Sequence, residues 1–305
     1  VRLDPKAAPS ALLALAELSL RSGRPVADVQ AGIDRAVRAG SNDAVIWQRA
    51  IALQRQLGDP KATLARSQAA NAAIADDAAL LLELGAAQLA AGEPRQAVAT
   101  LRRAVGLRPQ WAEAQLRLAV TYGVTGDVAS AREPLQRALA LEPDSPAILR
   151  ASIALLLDDK QPERARALAR ERQKRQPQQP LGWELQAEID TALGDARAAA
   201  AAWRAALERG PSPKRAVMLH RTLLAGDTAA ALQFQQRWLK EHPDDAFFIV
   251  HLAETAQADG DAAQAVARYR QALRLQPDNP LIMNNLADLL LGTQSAEALA
   301  LAQRA

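Results

Sequence analysis

Residues 78–111 read AALLLELGAAQLAAGEPRQAVATLRRAVGLRPQW, and residues 112–145 read AEAQLRLAVTYGVTGDVASAREPLQRALALEPDS. The two stretches are the same 34-residue unit written twice. In the first copy Leu81-x2-Leu84-Gly85 is followed by Ala97-x3-Leu101-x2-Ala104 and Pro109. In the second, Leu118-Ala119-x2-Tyr122 is followed by Ala131-x3-Leu135-x2-Ala138 and Pro143. Gly92-Glu93-Pro94 and Gly126-Asp127 punctuate the middle of each copy. Gly takes the left-handed conformation that ends a helix, Asp caps the next helix, and Pro is tolerated in a helix's first turn. Each copy therefore predicts two antiparallel helices that bury their shared face by stacking on the next copy.

The same register extends outward in both directions. Closing prolines stand at 109, 143, 177 and 211, each 34 residues apart, then at 243 after 32 and at Pro277 after 34. Internal Gly-Asp turns recur at Gly58-Asp59-Pro60, Gly194-Asp195, Gly226-Asp227 and Gly260-Asp261. Because Gly226 arrives two residues early, the 32-residue interval places a deletion in the first helix of that repeat or in its turn. Trp47, Trp183 and Trp203 fall on anchor positions and are expected in the core, whereas Trp111 and Trp238 fit the anchors less well and are expected to be partly exposed. Residues 146–179 depart most: Ser152 and Ile153 replace the Leu-Gly anchor, Ala169 stands where a large apolar residue packs, and Arg172 where a small one is usual. This repeat is expected to be the loosest joint. Pro134, several residues into a second helix, is expected to kink it or delay its start.

This pattern resembles the tetratricopeptide repeat (TPR) family, whose helix pairs repeat every 34 residues. The resemblance implies an all-α, right-handed superhelical solenoid spanning 1–305 as a single domain of about eight repeats plus a C-terminal partial one. Val1-Arg2-Leu3-Asp4-Pro5 looks like the tail of a preceding repeat, and Ala305 falls inside a helix, so the sequence reads as a piece of a longer protein. In TPR proteins the second, fifth, ninth and twelfth residues of first helices face a concave groove. Here those positions are Ala79, Leu82, Ala86 and Leu89, then Glu113, Leu116, Val120 and Gly123, with Glu184, Glu188, Glu254 and Asp288 making the floor more acidic further along. Such a floor implies a protein or peptide partner, either an amphipathic helix or an extended segment. The fifth positions carry no Lys, which disfavours the carboxylate-clamp subtype, and Asn285 alone represents the Asn-ladder subtype.

Composition narrows the classes further. Apolar residues make up 49% of the 305, aromatics only 3%, and the balance favours strong helix formers over strands. A net charge of +3, from 37 basic and 34 acidic residues, is too small to imply a nucleic-acid partner. Zero Cys excludes disulfides and thiolate metal sites. No apolar run reaches the length of a membrane span. Phosphate loops, nucleophile elbows, zinc-protease motifs and calcium loops are all missing, and the three histidines, His220, His242 and His251, are not spaced for metal. The expectation is a non-enzyme with no cofactor. Asp76-Asp77, Asp158-Asp159 and Asp244-Asp245 sit at turns and read as caps. Lys160 to Arg175 holds seven basic residues against Glu163 and Glu171, a solvated outer face before it is an anion site.

The Gly-Asp turns and the LDP, LEPDSP and LQPDNP closures resemble those of bacterial TPR proteins of the exosortase/PEP-CTERM system, which accompany exopolysaccharide and surface-protein sorting. That resemblance implies a periplasmic or outer-membrane-anchored scaffold; without it a cytoplasmic one is equally consistent. A scaffold of a cellulose-type export machine, or the recognition arm of a larger enzyme such as a TPR-bearing glycosyltransferase, fits the same residues.

Overall fold

The computed structural model describes residues 8–305, so Val1 to Pro5, read above as the tail of an earlier repeat, lie outside the described residues. Among the described residues there are eighteen α-helices and no strand. They fall into two compact units, divided between Asp159 and Lys160. The first contains α1 (Ala8–Arg21), α2 (Val26–Ala39), α3 (Ala44–Gln56), α4 (Pro60–Ala73), α5 (Ala78–Ala90), α6 (Pro94–Leu107), α7 (Ala112–Val124), α8 (Val128–Leu141) and α9 (Pro146–Asp158). The second contains α10 (Pro162–Arg175), α11 (Leu181–Ala192), α12 (Ala196–Arg209), α13 (Pro213–Gly226), α14 (Thr228–Glu241), α15 (Ala246–Ala258), α16 (Ala262–Leu275), α17 (Pro280–Leu290) and α18 (Ser295–Arg304). The C-terminal stretch expected to be a partial repeat has both its helices, α17 and α18.

Turn chemistry sets the helix limits. Gly92 and Gly126 take φ of 82° and 77°, a left-handed conformation costly to residues with a Cβ, and so release the chain from α5 and α7. The carboxylates of Asp59, Asp77, Asp195 and Asp261 then accept backbone N–H bonds from the first turn of α4, α5, α12 and α16. Gly226 departs from the expected turn: α13 runs through it, and Asp227 alone both closes α13 and caps Ala230. The α5–α6 and α7–α8 turns have three residues each, so the missing residues come out of the loops and the helices keep their length.

Packing follows from the small-residue positions. A Cβ on Gly85 would stand 2.6 Å from Leu101 Cγ, so glycine lets α5 and α6 approach closely. Ala97, Ala104 and Ala131 are buried at similar contacts, while the closing residues Pro109, Pro143 and Pro277 are exposed in the links. Pro134 is buried inside α8, which starts at Val128, so its start is not delayed. The lost hydrogen bond is confined to one turn, flanked by the buried Ala131, Leu135 and Ala138. Trp47 is buried and donates its indole N–H to Ser41 O at 2.8 Å, and Trp203 is buried in the second unit's core. Two tryptophan expectations fail. Trp238 is buried, donating to Asp245 Oδ2 at 2.9 Å and stacking on His242, whereas Trp183 is half-buried beneath the Arg209 guanidinium at 3.7 Å from its ring centre. Trp111 is half-buried, as its weaker match to the anchors implies, with the Arg108 guanidinium 4.4 Å from its ring centre.

Candidate functional site

Among the described residues, an open groove lies along first helices in each unit. The groove of the first unit, about 440 Å³, is lined by Ala86, Leu89 and Ala90 of α5, Leu101 of α6, and Glu113, Leu116, Arg117, Val120 and Thr121 of α7. Its apolar floor comes from α5 and α7 because their turns present Ala86, Leu89, Leu116 and Val120 between the two helices. Val120 is 45% exposed. The two charges on its wall satisfy one another: Arg117 donates to Glu113 at 2.7 and 3.0 Å, four residues apart on the same helix. What remains for a ligand is an apolar surface with no unsatisfied charge.

Leu82 does not belong to that surface. It is 3% exposed and sits in the core cluster of Leu101, Ala112, Ala114 and Leu118. The reason is that α5 packs against α3, α4, α6 and α7, so that the fifth position is covered by the neighbouring first helix. The acidic floor expected in the second unit is also weaker than the sequence implied. Glu184 accepts from Arg215 Nε at 2.6 Å and is half-buried, so its charge is neutralised by α13, and Glu188 is half-buried beside it on α11. Glu254 is exposed and lines a larger groove over α13, α15 and α17, about 890 Å³. Arg221, on the same groove, adds a charge of opposite sign.

His220 of α13 and His251 of α15 form a buried pair, Nδ1 to Nε2 at 2.9 Å, edge-on to each other and to Phe248. Sequence spacing missed them because thirty-one residues separate partners that packing brings side by side; His220 is the eighth residue of α13 and His251 the sixth of α15, so no shared repeat position announced the pair. Burial pushes both imidazoles below their ordinary range, His251 to about 4, helped by the nearby His220 and Arg221. Among the described residues no group of three His, Cys, Asp or Glu side chains is placed to hold a metal, and no helix is long and apolar enough to cross a membrane.

The basic stretch is largely engaged within the chain. Arg166 bridges Glu163 at 2.8 Å and the buried Asp190 at 3.1 Å, Arg175 pairs with Glu171, and Arg172 is buried, donating to Gln176 at 2.7 Å. Asp159, expected as a cap, instead accepts from Nε and Nη2 of Arg132 at 2.9 and 2.8 Å.

Family models described as tetratricopeptide repeat match residues 82–146 and 125–189, and one described as TPR repeat matches 258–294. The chain is a tetratricopeptide-repeat protein. Among solved structures, a tetratricopeptide repeat protein from Parabacteroides merdae is similar over 93% of this TPR chain and 98% of its own, with a TM-score of 0.56 and 12% identity. PilW, described as a type IV pilus biogenesis factor, is similar over 71% of this chain and 98% of its own, with a TM-score of 0.55 and 19% identity. At these identities the likeness speaks for the TPR fold. In sequence, 66 residues of the TPR chain are 38% identical to the probable biofilm formation methyltransferase WspC of Pseudomonas putida, covering 22% of this chain and 16% of that protein.

Proposed function

We propose that the chain is a non-catalytic interaction scaffold whose α5–α7 groove receives an apolar peptide or the apolar face of a partner helix. The observation that carries this reading is the internal Glu113–Arg117 pair, which leaves Ala86, Leu89, Leu116 and Val120 as an open floor without an unsatisfied charge. Apolar side chains held open to water on a folded surface are favourably covered by a partner. The bacterial form of the repeat closures, together with the resemblance to exosortase/PEP-CTERM scaffolds, supports a place in exopolysaccharide or surface-protein sorting. A second reading, the recognition arm of a larger enzyme, is supported by the partial match to a biofilm methyltransferase.

The test is the double variant Leu116→Glu, Val120→Glu. Because Val120 is exposed and Leu116 half-buried, the variant is expected to keep its far-ultraviolet dichroism and melt close to the native protein. Partners captured by the native protein from its own cell extract should be lost. Retention of all of them would sink the groove assignment, and so would a collapse of the melting temperature, which would make these residues core.

A further inference from the structure

The groove of the second unit has a chemistry of its own. Phe247 and Leu281, the second residues of α15 and α17, are 56% and 58% exposed. Arg221 and Glu254, the ninth residues of α13 and α15, line the same groove. Neither has an ion-pair partner among the described residues, although they occupy equivalent positions on neighbouring first helices. Seven residues of helix separate the apolar level from the charged level, a rise of about 10 Å. Elsewhere in this unit opposite charges close on each other, as Arg215 does on Glu184 and Arg270 on Glu297. An open cation and an open anion beside two large exposed apolar side chains make a surface complementary to a ligand carrying both signs.

We propose that this groove is a second recognition site, for an extended segment of a partner protein. That segment seats a large apolar side chain between Phe247 and Leu281, an acidic side chain on Arg221 and a basic one on Glu254. An extended chain advances about 3.3 Å per residue, so the apolar anchor lies roughly three positions from the charged pair. The site discriminates by sign order: reversing acid and base along the segment places like charges together at both contacts. Its preferred ligands therefore differ from those of the uncharged α5–α7 floor. The proposal rests on reading the repeats as an interaction scaffold but not on the α5–α7 groove being occupied.

The experiment pans a phage-displayed random dodecapeptide library against the full chain and three variants. Arg221→Glu with Glu254→Arg exchanges the charges, Phe247→Ala with Leu281→Ala removes exposed anchors whose loss leaves the core intact, and Leu116→Glu with Val120→Glu alters only the first unit. The native chain should enrich peptides with one acidic, one basic and one large apolar residue at the stated spacing. Synthetic copies should bind the anchor variant at least about tenfold more weakly. The exchanged variant should enrich the same class with acid and base interchanged, and the first-unit variant should retain the native preference. No enrichment, an order unmoved by the exchange, or undiminished binding to the anchor variant overturns the proposal. Self-association of the free chain that Phe247→Ala abolishes, seen by sedimentation, would also overturn it by making this face an interface between copies. Failure of the α5–α7 reading alone would leave every one of these results in place.

Discussion

The 2.9 Å contact between His220 and His251 joins α13 to α15, with both side chains buried. One neutral ring donates and the other accepts; with both protonated, two N–H groups would oppose each other. Burial already lowers both, with Gln235 partly offsetting this for His220 and Arg221 adding to it for His251. The unfolded chain takes up protons near the ordinary histidine value of 6.5, while folded His251 resists until about 4. Through that window the unfolded state binds more protons, so stability is full above 6.5 and falls as pH drops towards 4. Urea midpoints should therefore be lower at mildly acidic than at neutral pH, and the double variant His220→Gln, His251→Gln should show a smaller drop. An equal drop in both proteins would remove the pair from the account.

Among the described helices, α10 has alanines alone, Ala165 and Ala169, as its buried apolar residues. Its covered positions are Ala165, Ala169 and Arg172, whereas α6, of equal length, covers Ala97, Thr100, Leu101 and Ala104. Opening free energy follows buried apolar contact, so the amides of α10 should exchange with deuterium faster than those of α6. Equal protection would contradict the weak-joint expectation. Many helix limits were legible in the sequence because their turns carry local chemistry: Gly92 and Gly126 can adopt their dihedrals, and Asp77 can reach its two amides, whatever surrounds them. The groove was legible at Leu116 and Val120 but not at Leu82, since a repeat register assigns a face to each residue without saying how closely the next helix covers it. Glu184 was misread for a related reason. Its partner Arg215 stands thirty-one residues away, and no spacing rule announces the pair. Trp238 was misplaced because its anchor is the capping carboxylate of Asp245, outside the repeat pattern.

At the scale of the whole molecule, the repeats finish the described groove of each unit differently. In the first unit Glu113 and Arg117 cancel within one helix and leave an apolar floor; in the second, Arg221 and Glu254 stay open. The central claim is that the α5–α7 floor is a place where a partner sits. Site-specific photocrosslinking tests it most directly, with p-benzoylphenylalanine placed at Val120 on the floor or at Leu107, which is comparably exposed on α6 but does not line the groove. Irradiation in native extract should give a discrete protein adduct from position 120 and none from position 107. Adducts of equal yield from both positions, or from 107 alone, would contradict it.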